Sequence, residues 1–238
     1  MNSIWTIARR EYSAYFTSPI AYVYLTTFLV ATCWIFFRSF FLIGQADMRV
    51  FFSVMPWIFL FFVPAVAMGK WAEERRQGTL EILFTLPLKD RDVVLAKFAA
   101  SLSLIATALL LTLPIPLSVA GIGNLDWGPV IGGYLGLVFL GGAFLAIGLV
   151  ASALTENQIV AFIAGVVASF VMMMMGTPLI AGGKAGFFTQ AISYMGLGTH
   201  FESISRGVVD SRDVVYYLSV IGFFLYLNLK VLETKARR

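Results

Sequence analysis

The chain of 238 residues is 59% hydrophobic and only 13% charged. Because a soluble domain of this length carries about 25% charged residues, the composition excludes an ordinary soluble domain and indicates a membrane protein. The formal net charge of +4 has to be assigned loop by loop in such a protein and is not a signal for nucleic-acid binding.

The first predicted element is a helix over residues 2–17 that lies in the membrane interface. A helical wheel places Trp5 and Tyr12 on an apolar side and Arg9 and Arg10 on the polar side. Aromatic and basic residues in this arrangement are typical of interfacial helices. The alternative is a plain leader whose charges only orient the first span.

The long apolar runs predict an all-α, polytopic protein with one transmembrane domain, because about 20 apolar residues cross a bilayer. The six predicted spans are 19–43, 51–69, 94–119, 129–153, 159–180 and 214–229. Asp90 and Asp126 are predicted to cap the third and fourth spans. Small residues recur in the fourth span, which favours close helix packing in lipid. Four consecutive methionines in the fifth span could ligate Cu(I), but they point around the helix, which favours a packing role.

A polar stretch over residues 72–90 separates the second and third spans. We predict that Thr79 caps a short helix with Leu80, Leu83, Phe84 and Pro87 on one side. A helix of two turns is not stable alone, so it needs the bilayer surface or the groove of a partner protein. The charged flanks on either side would set its orientation and its choice of partner.

The region 184–210 is too apolar for a solvated loop and predicts a pair of re-entrant helices in the outer interface. Thr199 and Glu202 have the spacing of a capping box for one short helix. His200, Phe201 and Arg206 lie beside them. Two interpretations stay open, a capped helix with locally paired charges or an external gate that faces the substrate.

The distribution of basic residues predicts the orientation. With six spans and both termini inside, 12 of the 17 Lys and Arg residues fall on the inner side. The positive-inside rule therefore places both termini and the polar stretch in the cytoplasm of a multi-pass protein of the cell's inner (plasma) membrane.

The sequence offers no catalytic constellation and no metal site. One Cys and one His are too few for a metal cluster or a Cys/His pair. The nearest approach to a phosphate-binding loop, residues 182–185, has Ala185 where Ser or Thr is required. No cofactor is expected in this chain, and any nucleotide would be bound by another subunit.

Five segments, taken in order, resemble the permeases of ABC-2 type transporters, most closely the gliding-motility-associated subfamily. The segments are ARREYSAYFTSPIAY, GKWAEERRQGTLEILFTLPL, GNLDWGPVIGGYLGL, SALTENQ and THFESISRGVVDSRDV. The resemblance implies an N-terminal connecting helix, a coupling helix between spans 2 and 3, and re-entrant helices between spans 5 and 6. It also implies no catalytic residue here, because ATP and Mg belong to the partner ATPase.

The partners implied by the resemblance are a dimer of the ABC ATPase, a second permease copy or sister chain, the lipid bilayer and an extracytoplasmic accessory protein. The residues that match the family's coupling pattern are Glu73, Glu74, Gly78, Thr79, Glu81 and Pro87. Arg75, Leu80, Leu83 and Phe84 complete the predicted ATPase-coupling interface.

Three functions are compatible with these features. The first is the permease of an ATP-driven exporter, and the second is a membrane anchor or assembly subunit that docks an ATPase without moving cargo. The third, an intramembrane enzyme, is disfavoured because no nucleophile and base are paired in the sequence. Co-purification with an ATPase would separate the third from the others, and substrate-stimulated ATP hydrolysis would separate the first two.

Overall fold

The computed structural model describes residues 3–43, 47–80, 89–177 and 194–236, and all regular secondary structure within them is helical. This confirms the predicted all-α class for the described residues. The helices are α1 (Ser3–Thr17), α2 (Pro19–Ile43), α3 (Arg49–Ala67), α4 (Gly69–Arg76), α5 (Asp90–Leu111), α6 (Pro114–Ile122), α7 (Trp127–Leu154), α8 (Gln158–Met174), α9 (Leu197–Ser205) and α10 (Ser211–Ala236).

Five helical stretches of the described chain are long and apolar enough to cross a membrane. They are Pro19–Phe41, Arg49–Arg76, Asp90–Ile122, Trp127–Leu154 and Ser211–Lys235. A further apolar helix, α8, is shorter at 17 residues, and the predicted fifth span continues past it into residues 178–180, which lie outside the described part. The chain is therefore a multi-pass membrane protein.

The helix α7 lies at the centre of the bundle. Its most apolar stretch is 83% buried, whereas the corresponding stretches of α2 and α10 are 28% and 11% buried. Six of the other described helices pack on it, namely α3, α4, α5, α8, α9 and α10. Since α7 carries no charged residue, the centre of the bundle is assembled from side-chain packing.

The helix starts agree with the sequence in one case and differ in another. The Asp126 carboxylate accepts a hydrogen bond from the Gly128 amide at 3.0 Å, so Asp126 caps α7 as predicted. The prediction that Asp90 caps the next helix is wrong, because Asp90 is already the first residue of α5 and Lys89 is its cap residue. As a member of the first turn, Asp90 still interacts favourably with the positive end of the helix dipole.

Small residues bring three helices close together around Pro64 of α3. A Cβ on Gly148 of α7 would lie 2.7 Å from the Ala67 Cβ, and one on Gly165 of α8 would lie 3.3 Å from the Pro64 Cβ. Such contacts require glycine or force the backbones apart. The close packing predicted for the fourth span is thus confirmed at Gly148.

Gly207, which follows α9, provides a prediction of stability. Its φ of +91° is unfavourable for other residues, and an added Cβ would lie 2.8 Å from both Gly128 C and Pro129 N. Gly207→Ala is therefore expected to lower the thermal midpoint in detergent, at a cost of about 1–3 kcal/mol. The matched control is Gly222→Ala in α10, where no atom lies within 4 Å of the added Cβ. A Gly207→Ala protein as stable as the Gly222→Ala protein would contradict the prediction.

Candidate functional site

Four charged side chains join three helices at the end of the bundle where α4 stops, which we call the network end. Lys97 of α5 donates to Glu74 of α4 at 2.5 Å and lies 3.4 Å from Glu11 of α1. Lys70 of α4 donates to the second carboxylate oxygen of Glu11 at 3.1 Å. This ion-pair network is neutral in sum, and its two lysines are nearly buried, with side chains 3% and 14% exposed.

Aromatic rings lie beside both lysines of the ion-pair network. The Lys70 ammonium lies 4.0 Å from the centre of the Tyr15 ring, and that of Lys97 lies 5.1 Å from the Trp71 ring. Burial raises the pKa of the Glu11 carboxyl, but Lys97 and Lys70 lower it more, so it lies below its ordinary value of 4.5. Glu11 therefore stabilises the fold at neutral pH, and this contribution is lost as the pH falls through the lowered pKa.

Two tyrosine hydroxyls extend the attachment of α1 to α5. Tyr15 is hydrogen-bonded to the Ser101 hydroxyl at 2.8 Å. Tyr12 donates to Thr107 at 2.8 Å, since the Thr107 hydroxyl itself donates to the Ser103 carbonyl. One side of α1 is thus attached to α5 by polar contacts.

A break in the helix between α3 and α4 is bridged by Ser152 of α7. The buried Ser152 hydroxyl donates to the Met68 carbonyl at 2.7 Å and accepts from the amides of Trp71 and Ala72 at 3.1 and 3.2 Å. One donor and two acceptor positions are all that a serine hydroxyl offers, and all three are used. Ser152 therefore fixes the direction of α4 relative to α3.

An ion pair and two hydrogen bonds connect α4, α7 and α10 at the network end. Arg75 of α4 pairs with Glu156 at 3.0 Å in the turn between α7 and α8. Lys235 of α10 donates to the Ala153 and Leu154 carbonyls at 3.0 and 2.8 Å. These carbonyls end α7 and lack partners within the helix, so Lys235 caps them. The first helix and the end of α10 therefore lie at the same end of the bundle.

The predicted coupling residues divide into three groups. Glu73, Glu74 and Arg75 belong to α4 and bind within the chain, with Glu73 accepting from Arg76 at 3.1 Å. Gly78 ends α4 with a φ of +68°. Thr79 and Leu80 follow it directly, and Glu81, Leu83, Phe84 and Pro87 lie outside the described residues.

Thr79 and Leu80 are both helical and are the last described residues before the rest of the predicted coupling helix. The Thr79 hydroxyl donates to the Glu74 carbonyl at 3.2 Å, so in the described chain it contacts the last turns of α4. Leu80 is 6% exposed and belongs to the hydrophobic core. Within this single chain, its side chain therefore offers little surface to a partner.

The residues of the predicted interfacial helix differ in their exposure. Trp5 is 72% exposed, and Arg9 and Arg10 are exposed as well. Ala8, which lies one helical turn before Tyr12 on the same side of α1, is buried, and Tyr12 is half-buried through its contact with α5. Part of the side predicted to enter the membrane thus packs on the protein.

At the opposite end of the bundle, the cavity end, His200 is buried and fully paired. Its Nε2 lies 2.9 Å from the Tyr194 carbonyl and must donate, because a carbonyl only accepts. Its Nδ1 lies 2.6 Å from an Asp213 carboxylate oxygen, so a proton is shared there. The Tyr216 ring stacks on the imidazole at 3.9 Å between centres. His200 thereby joins α9 to the start of α10.

The predicted capping box at Thr199 and Glu202 is wrong. The helix α9 begins two residues earlier, at Leu197, with Gly196 as its cap residue. Thr199 lies inside the first turn, and its hydroxyl donates to the Gly196 carbonyl at 2.8 Å. A cap preference in the sequence is weak, and here the buried Leu197 extends the helix.

Four of the five predicted gate residues line one cavity of about 760 Å³, which we call the α9 cavity. They are Thr199, Phe201, Glu202 and Arg206. The remaining predicted residue, His200, does not line it. The start of α3 and the end of α8 form other parts of its wall.

Sequence reasoning missed Glu11, Lys97 and Ser152. Glu11 is the only acidic residue before Asp47, and Lys97 is a charge within an apolar helical run. Each of these two isolated charges could have indicated a buried ion pair, because a charged side chain is rarely buried without a partner of opposite charge. No sequence signal distinguished Ser152 from other serines of the spans.

No curated protein matches the chain. A family model described as ABC-2 family transporter protein matches residues 20–229. The match begins at the second residue of α2 and ends within α10, so α1 lies outside it.

Proposed function

This chain belongs to the ABC-2 transporter family, and from that membership we propose that it is the permease subunit of an exporter driven by a separate cytoplasmic ATPase. The chain would form the membrane pathway, and residues 72–90 would couple it to the ATPase. ATP and Mg would be bound by that partner. No catalytic role is proposed for the permease itself.

The ion-pair network is the observation that supports coupling most strongly. Glu74 and Lys97 flank the predicted coupling helix in sequence and bind each other at 2.5 Å. Glu11 connects both of their helices to α1. A displacement imposed on residues between Glu74 and Lys97 would thus reach α4, α5 and α1 together. The network performs no covalent chemistry, and its role is mechanical.

The finer architecture follows the family pattern in our proposal. We place six spans in the inner membrane with both termini in the cytoplasm, and re-entrant helices between spans 5 and 6. Trp5, Arg9 and Arg10 of α1 are exposed and would contact lipid headgroups at the cytoplasmic interface. The gliding-motility-associated permeases remain the proposed subfamily.

The proposed assembly contains two permeases and two ATPase subunits. The second permease is another copy of this chain or a sister chain, and an extracytoplasmic accessory protein is a further candidate partner. The helices α2 and α10 leave most of their apolar surface uncovered in the single chain. Such surface faces either lipid or the second permease.

The coupling helix can be tested with a charge placed on either of its predicted sides. Phe84→Asp, on the partner-facing side, is expected to abolish recovery of an ABC ATPase with the tagged permease from native membranes, because the anchor would carry a charge into an apolar groove. The measurement is mass spectrometry of the purified complex. Thr85→Asp, on the side predicted to face away, is the matched control and should leave recovery unchanged. Equal recovery with both variants would contradict the proposed docking surface.

A further inference from the structure

The α9 cavity has the size and composition of a ligand site. Its volume of about 760 Å³ falls within the range of about 300–1,000 Å³ typical of pockets for small molecules. Its apolar wall includes Phe52, Met173 and Phe201 together with Trp57, of which Trp57 is 47% exposed. Such a wall suits a hydrocarbon chain.

Charges of both signs line the same cavity. Glu202 on α9 and Arg206, which directly follows α9, are exposed and lie four residues apart, a spacing at which acidic and basic side chains pair on a helix. Within the described part of the chain, no ion pair involves either residue. Arg49 also lines the cavity, but it pairs with Asp47 at 3.5 Å and is largely exposed. The unused charges are therefore one guanidinium and one carboxylate.

We propose that the α9 cavity binds an amphiphile whose headgroup carries a phosphate and an ammonium group. Arg206 donates to the phosphate, for which the guanidinium has matching geometry. Glu202 accepts hydrogen bonds from the ammonium group, and the hydrocarbon chain lies on the wall of Phe52, Met173 and Phe201. This site goes beyond the coupling function, since binding requires neither an ATPase nor export.

The headgroup class follows from the pair of charges. A simple anion would satisfy Arg206 but would be repelled by Glu202. An amphiphile without charged groups would displace water from both side chains and leave each of them without a counter-ion, which is unfavourable. A headgroup with both charges satisfies both side chains, and so the cavity discriminates against each simpler class.

The test measures binding to the purified full-length chain in maltoside detergent. The probe is lysophosphatidylethanolamine with bromine atoms on its acyl chain, because bromine quenches tryptophan fluorescence on contact. The chain has five tryptophans, of which Trp57 lines the cavity. Saturable quenching is expected in the native protein and should largely disappear in Trp57→Phe. Quenching that is unchanged in Trp57→Phe would overturn the assignment of the cavity.

Two substitutions test the headgroup. Arg206→Gln and Glu202→Gln are each expected to weaken binding of the probe about tenfold, the loss of one charge-assisted contact. Glu202→Gln should instead tighten binding of a brominated lysophosphatidate, which lacks the amine. Arg212→Gln, an exposed arginine outside the cavity lining, is the control and should bind normally.

Other outcomes would overturn the proposal. Native affinity in both Arg206→Gln and Glu202→Gln would exclude headgroup recognition by these residues. If inorganic phosphate displaced the lipid at an equal concentration, the cavity would recognise only an anion, and the proposed recognition of an amphiphile would be wrong. No ATPase is present in this assay. A failure to bind the lipid would therefore say nothing about ATPase docking at Phe84, and a failure of ATPase docking would say nothing about lipid binding in the α9 cavity.

Discussion

Replacing Lys97 with Met is expected to lower the free energy of unfolding by about 3–5 kcal/mol, the cost of breaking a buried ion pair from one side. Lys97 is 3% exposed and is the group that joins Glu11 to Glu74. Without it, one Glu74 oxygen loses its cation, and the other already has no hydrogen-bond partner among the described residues. The measurement is the unfolding midpoint of the purified chain in detergent.

Two further variants separate the ion pair from a general effect of losing a lysine. Lys230→Met removes a lysine whose pair with Glu233 is 2.8 Å long but half exposed, and it should change stability by at most about 1 kcal/mol. Adding Glu74→Gln to Lys97→Met should recover part of the lost stability, because the unpaired charge is removed as well. Equal destabilisation by Lys97→Met and Lys230→Met would rule out a dominant role for the network.

Replacing Ser152 with Ala is expected to cost about 2–4 kcal/mol, since it leaves a carbonyl and two amides without their partner. The groups concerned are the Met68 carbonyl and the amides of Trp71 and Ala72, all at the break between α3 and α4. Because the hydroxyl also sets the direction of α4, its loss should weaken the transmission of motion. In a complex with the proposed ATPase, the rate of ATP hydrolysis should persist, whereas the amount of substrate moved per ATP hydrolysed should fall.

The control for this variant is Ser103→Ala in α5. The Ser103 hydroxyl donates only to the Ala99 carbonyl of its own helix and is exposed. Its removal should leave both the unfolding midpoint and the coupling of hydrolysis unchanged. If Ser152→Ala behaved in the same way, the break between α3 and α4 would have to be held by packing alone.

The helices of this protein are largely predictable because each depends on local pattern. Apolar runs of span length predicted α2, α3, α5 and α7, and Asp126 predicted the start of α7 correctly. Errors occurred where a local preference competed with packing. Thr199 has a better capping side chain than Gly196, but the burial of Leu197 shifts the start of α9.

The candidate site was harder to predict because its contacts join distant parts of the chain. Lys97 and Glu11 are 86 residues apart, and Ser152 is 84 residues from Met68. The sequence showed that Glu74 belongs to a charged stretch, but not that its partner is Lys97, two turns into the next helix. A single sequence contains propensities, whereas these pairings depend on how the helices are arranged.

The contact between Glu74 and Lys97 also has an entropic consequence. The two residues are 23 positions apart, so their pairing closes the intervening chain into a ring. For an unfolded chain, bringing together two ends this far apart in sequence costs about 3 kcal/mol of chain entropy. The permease loses this entropy when it folds. A partner that binds between Glu74 and Lys97 therefore does not have to bring the two ends of the segment together. Affinity for the partner should therefore depend on a contact that the partner never touches.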